Sequence, residues 1–172
     1  MNDPRHDSVD ASIKAYEKML ERSVSNLHQA KEKSMQILHQ FINQARDKAV
    51  ELEELTEEDA AKVATWLKRD LNDFIDSLVE GENELKDWLG FETSLLENVF
   101  LDLMLQTADK TTVELLALKE NARIASTWHT GEVTGPGTLI CDNCGEVLHF
   151  HKAGKIPPCA KCHATSYHRK SH

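Results

Sequence analysis

Two Cys-x-x-Cys pairs stand fourteen residues apart in this chain, Cys141-Asp142-Asn143-Cys144 and Cys159-Ala160-Lys161-Cys162, and they use all four of its cysteines. Two residues between thiolates let one tight turn present both sulfurs to the same ion, at about 2.3 Å each for zinc. Such a turn also aims backbone N–H groups at the sulfurs. Gly145, directly after the second cysteine, suits the left-handed conformation that it often requires. Fourteen intervening residues are enough for one strand out and one strand back, so the two turns can meet across a single tetrahedral ion. The expectation is one structural Zn²⁺ per chain, held by Cys141, Cys144, Cys159 and Cys162. A redox pair and an iron or iron–sulfur site are the competing readings. Thioredoxin-like motifs, however, use one Cys-x-x-Cys at a strand–helix junction rather than two. A catalytic zinc would need an open coordination position, which four thiolates do not leave. His163 is the most tempting additional ligand, but four cysteines already close the tetrahedron.

The flanking residues read as short strands. Trp128 to Val133 and Thr138-Leu139-Ile140 are joined through Gly135-Pro136-Gly137, Val147 to His151 alternates as a half-buried strand does, and Ser166-Tyr167-His168 can form a last strand. Pro157-Pro158 stiffens the approach to the second turn. A unit of this size buries too little apolar surface to fold by itself. Metal binding of about 10–16 kcal/mol can supply the missing stability.

Glycine and proline divide the chain. From Arg5 to Thr130 there is no proline, and the only glycines are Gly81 and Gly90; between Gly131 and Pro158 lie five glycines and three prolines. Charge divides it at the same place. Residues 1–127 carry 15 basic and 26 acidic residues, whereas 128–172 carry 5 and 3, together with six of the nine histidines. Two domains are expected, a helical, coiled-coil-like one over 1–127 and a zinc ribbon over 128–172. The fold class is mainly α, a long antiparallel helical hairpin or bundle followed by a small β ribbon.

Within the helical part, Ile13, Tyr16, Leu20, Val24, Leu27, Met35, Leu38, Ile42, Ala45, Ala49 and Leu52 recur at three- and four-residue steps, with Lys31 at one stripe position. One helix from about Ser8 to Leu55 would be roughly 70 Å long. Thr56-Glu57-Glu58-Asp59 has the form of a helix start, with a hydroxyl to cap and acids for the positive end. The following helix carries Val63, Leu67, Leu71, Phe74 and Leu78 and ends at Gly81. A third is expected through Trp88, Leu96, Val99, Phe100, Leu103 and Met104, and a fourth from Thr107 or Asp109 through Val113, Leu116 and Ile124. A first helix of that length would overhang the second, leaving Ile13 to Leu27 to be covered by the third and fourth helices, by a partner or by a second copy of the chain.

The net charge of −9 disfavours binding to a nucleic-acid backbone. No apolar run is long enough to span a membrane, and the polar stretch Met1 to Asp7 does not read as a secretory signal. Cytoplasmic placement is expected, where reduced thiols favour metal ligation over disulfides. Among enzyme motifs, the sole Glu-x-x-His, Glu146 to His149, falls in a ribbon strand, and there is no His-Glu-x-x-His, phosphate loop or Gly-x-Ser-x-Gly.

His129-x-Gly131-Glu132-Val133-x-Gly135-x-Gly137-x-Leu139-x-Cys141-x-x-Cys144, the later Cys159-x-Lys161-Cys162 and the upstream Asp109-Lys110-Thr111 resemble the bacterial YbeL-like zinc-ribbon-containing proteins. The resemblance covers the whole chain in architecture and is specific over about 107–168. It implies a bacterial cytosolic zinc protein, helical first and ribbon second, with no established activity. Two departures stand out: His163 where related ribbons tend to have glycine, and Val113-Glu114-Leu115 where they tend to have a tryptophan. The leading functional expectation is a non-enzymatic interaction protein whose helical arm binds a protein or a second copy. The alternative is a nucleic-acid-associated factor, with Lys152, Lys155, Lys161, Arg169 and Lys170 as a basic face and Phe150 or Tyr167 stacking on bases.

Overall fold

A computed structural model of the chain describes residues 4–31, 34–79 and 127–170. The expected helices through Trp88–Met104 and Thr107–Ile124, the helix end at Gly81, and Asp109-Lys110-Thr111 lie outside these described residues.

The stripe read as one long helix is two: α1 (Pro4–Gln29) and α2 (Met35–Glu51). The break falls where the stripe carries Lys31 in place of an apolar group, and Ser34 starts the second helix. Ser34 has extended backbone (φ −145°, ψ 164°), and its hydroxyl accepts from the Ile37 amide at 3.2 Å, which satisfies one of the free donors at a helix start. Folding back allows each helix to bury its stripe against the other. Tyr16, Met19, Leu20, Val24 and Leu27 of α1 join Leu38, Ile42, Ala45 and Ala49 of α2 in one apolar cluster. The overhang expected of a long first helix therefore does not arise. Ile13 packs on the same cluster, and the rest of the Ile13–Leu27 stripe is buried within the chain.

At the far end of α2 the chain turns through Leu52 to Leu55. Glu53 adopts φ +54°, the left-handed position that often closes a helix, and the Leu52, Glu53 and Glu54 amides donate to carbonyls of the last turn. Helix α3 (Glu57–Val79) then begins as expected. Thr56 Oγ1 accepts from the Asp59 amide at 3.2 Å and donates to the Asp59 carboxylate at 3.0 Å. Helix α3 runs back along α2, with Lys68 donating to Asn43 and His39 bonded to Asn72. It adds Val63, Ala64, Leu67 and Leu71 to the shared core.

The ribbon has six short strands: β1 (Trp128–His129), β2 (Val133–Thr134), β3 (Gly137–Cys141), β4 (Val147–Phe150), β5 (Gly154–Lys155) and β6 (Ser166–Arg169). Four form an antiparallel sheet in the order β1-β6-β3-β4, and β2 pairs with β5 in a second, two-stranded sheet. The expected strand Trp128–Val133 is thus divided between sheets, at Gly131, whose φ of +95° turns the chain. Val133 and Ala153 of the ribbon belong to the helical core, so the two regions share buried surface.

Candidate metal centre

Each Cys-x-x-Cys forms a turn with the same bonds. In the first, the Gly145 amide donates to the Cys141 carbonyl at 3.0 Å and the Cys141 amide to the Glu146 carbonyl at 2.9 Å. In the second, His163 donates to Cys159 and Cys159 to Ala164, both at 2.9 Å. The residue after the second cysteine is left-handed in both, with φ +72° at Gly145 and +58° at His163. The residue that departs from the related ribbons therefore stands where the backbone favours glycine. Histidine tolerates this region better than most side chains.

Strand β3 delivers Cys141, and the β3–β4 turn delivers Cys144. The approach past Pro157 and Pro158 delivers Cys159 and Cys162, and Tyr167 fixes it by donating to the Pro157 carbonyl at 2.8 Å. The four sulfurs converge. Cys141 and Cys162 Sγ are 3.5 Å apart, Cys144 and Cys159 Sγ 3.6 Å, and all four lie within 4.8 Å of one another. A tetrahedron of thiolates about 2.3 Å from zinc has edges of about 3.8 Å, so the donor set fits the ion, and these separations are far too long for disulfides. The Asn143 side chain and the Ala164 amide draw Cys162 down to about 6. The Glu146 amide draws Cys144 down too, yet the neighbouring sulfurs, Cys162 first, push it up to about 12. Thiolates this close repel one another, and a cation among them would offset that repulsion.

Among the described residues no histidine, aspartate or glutamate joins the sulfur group. His168 Nδ1 is bonded to Asp142 at 2.6 Å, His149 Nδ1 to Thr138 at 2.8 Å, and the His149 and His151 rings meet edge to face. Tyr167, offered as a base-stacking residue, is 1% exposed. Arg169, offered for the basic face, is drawn inward: it donates to the Pro136 carbonyl at 3.2 Å, and its Nε lies 2.8 Å from Asp73, an ion pair without hydrogen-bond alignment.

Sequence reasoning missed a polar cluster where ribbon and helices meet. Asp70 of α3 is fully buried and accepts from Tyr16 (2.7 Å), the Trp128 indole (2.8 Å), the Gly135 amide (2.8 Å) and Arg69 Nε (3.1 Å). Arg69 also bonds the Thr127 carbonyl at 3.3 Å and the Glu132 carboxylate. The Arg69 and Arg169 guanidiniums lie over the Trp128 ring at 4.7 and 5.1 Å from its centre. Burial, and then the Asp70 charge, raise the Tyr16 hydroxyl well above its ordinary pKa, so it stays a donor. The signal was present in the stripe. Asp70 stands seven residues after Val63, on the apolar face of α3, where a solvated acid has no place.

The model of the zinc-ribbon containing domain matches residues 25–171. The uncharacterized protein YbeL of Escherichia coli K12 is 27% identical over 130 residues, which cover 76% of this chain and 80% of that protein. The YbeL proteins of Escherichia coli O6:H1 and O157:H7 match to the same extent. No solved structure matches the chain. With its sulfurs gathered as a zinc site requires and the domain match running from α1 to the end of the ribbon, the chain is a zinc-binding protein and belongs to the YbeL-like zinc-ribbon family.

Proposed function

We propose that this is a non-enzymatic, mainly α interaction protein in which one structural zinc ion, held by Cys141, Cys144, Cys159 and Cys162, fixes the ribbon against a helical arm that binds a protein. The observation that carries the reading is the convergence of all four sulfurs within 4.8 Å, with a backbone turn behind each pair. A bound ion would be enclosed by thiolates, with no position for a reacting water. Metal analysis of the full chain, purified without added zinc, should give one zinc per chain. Iron in its place, or a ratio well below one, overturns the metal assignment.

Charge supports a protein over a nucleic acid as the partner. A cleft of about 600 Å³ lies where α1, the α2–α3 turn and the ribbon meet, and it is lined by Glu53, Glu54, Glu57 and Asp59 with Lys155. Phosphates are repelled by such a lining. The inward positions of Tyr167 and Arg169 also remove two groups from the basic face on which the alternative relies. Filter binding with single- and double-stranded DNA and RNA at physiological salt should show nothing tighter than about 1 µM. Tight binding that Lys152→Glu and Lys161→Glu abolish would favour the nucleic-acid reading. A second copy of the chain as the partner is checked by sedimentation over a range of concentrations. No helix among the described residues is long and apolar enough to cross a membrane.

A further inference from the structure

We infer that Asp70 couples the metal state of the ribbon to the packing of the helices, so that loss of zinc loosens α1 and α3 as well as the ribbon. This rests on the zinc assignment proposed above. Asp70 takes half of its four donors from each side. Tyr16 and Arg69 belong to the helices, and Trp128 and Gly135 to the ribbon. Of the two ribbon donors, Trp128 is tied to the sulfur cluster by direct contact. Trp128 pairs with Tyr167, Tyr167 pairs with Cys141, and all three share a buried cluster with Cys159. A ribbon that unfolds withdraws the indole and the Gly135 amide together. Asp70 is then a carboxylate inside the protein with two of its four hydrogen bonds gone, and Arg69 loses its Glu132 partner. A buried charge is not tolerated in that condition, so the Tyr16–Asp70 level of the helices must open to water. Loss of a hydrogen bond to a charged group shifts such an equilibrium roughly ten- to hundred-fold. The coupling is also reciprocal: whatever weakens the Asp70 contacts weakens zinc binding by the same factor.

The test is hydrogen exchange of the full chain, read by peptide mass spectrometry with zinc and after its removal by a chelator, together with zinc affinity from chelator competition. Zinc removal should strip protection from the 128–170 amides and, in the same sample, speed exchange around Tyr16 and Asp70 at least tenfold. Asp70→Asn should exchange fast around Tyr16 even with zinc, respond little to its removal, and bind zinc about tenfold more weakly. If that variant does not fold, Trp128→Phe removes one ribbon donor and keeps a ring. Its zinc-dependent increment in α3 should be smaller than that of the parent chain. Ribbon amides that lose protection while α1 and α3 keep theirs overturn the coupling and leave the zinc assignment standing. Ribbon amides indifferent to the chelator overturn both.

Discussion

The two regions cohere by different means. Eight of the large side chains that are fully buried among the described residues lie on the helices: Tyr16, Met19, Leu20, Leu27, Leu38, Ile42, Leu67 and Leu71. The ribbon has four: Trp128, Leu139, Ile156 and Tyr167. At about 1.5–3 kcal/mol for each buried group, the helices have an apolar core of their own and the ribbon has much less. The ribbon instead places four sulfurs where one ion can join segments that are distant in sequence. One region is held by apolar area spread over many side chains; the other is held largely at one point. The Asp70 contacts join them, so damage at that point is expected to spread.

The largest effect should come from the sulfurs. Cys141→Ser or Cys162→Ser should abolish stoichiometric zinc and unfold the ribbon, since the metal contributes stability on the scale of 10–16 kcal/mol in small zinc domains, roughly. Far-UV circular dichroism should keep most of the helical signal, while thermal unfolding of the helices moves to lower temperature. A helical transition at the unchanged temperature would mean that the regions are energetically separate. Next is Leu67→Ala. Leu67 is 0% exposed in the centre of the helical core, so truncation should cost about 2–5 kcal/mol in urea denaturation. A cost below about 1 kcal/mol would show that the core does not depend on this packing. By the same burial, Leu20→Glu and Leu27→Glu should unfold the helical region rather than simply dissociate an oligomer.

A smaller effect is expected at Glu54, which bonds Arg22 at 2.8 and 3.0 Å and Lys18 at 3.1 Å. The Arg22 bond is the main cause that draws its carboxyl from 4.5 down to about 2. A lowered folded pKa contributes stability that is complete above the unfolded value and is lost as pH falls through the folded one. The wild type should therefore exceed Glu54→Gln by about 1 kcal/mol or less at neutral pH, because water screens this half-open pair. The gap should close between about pH 4.5 and 2. A gap independent of pH would assign the effect to packing. The smallest effect belongs to His163→Gly. Relief at φ +58° is offset by glycine's greater freedom in the unfolded chain, so zinc-loaded protein should gain less than about 1 kcal/mol. A loss of stability would mean that the His163 side chain makes a contact of its own.

Features that depend on neighbours in the chain were legible from the residues alone. Spacing set both cysteine turns, Thr56 set the start of α3, and alternation set β4. The departure at His163 marked a side chain at a left-handed position that the first turn fills with Gly145. These are decided within a few residues, so a local pattern carries them. The break between α1 and α2 was half legible: Lys31 marked the weak point, but periodicity continues across it in register. Only the burial of both stripes against each other, and of α3 against both, makes folding back better than one extended helix. The Asp70 site was decided by tertiary structure alone. Its partners Tyr16, Trp128 and Gly135 lie 54, 58 and 65 residues away. An acid on an apolar stripe shows that something must satisfy it. Which groups do so depends on where the ribbon docks, and docking is a property of two assembled surfaces rather than of either segment.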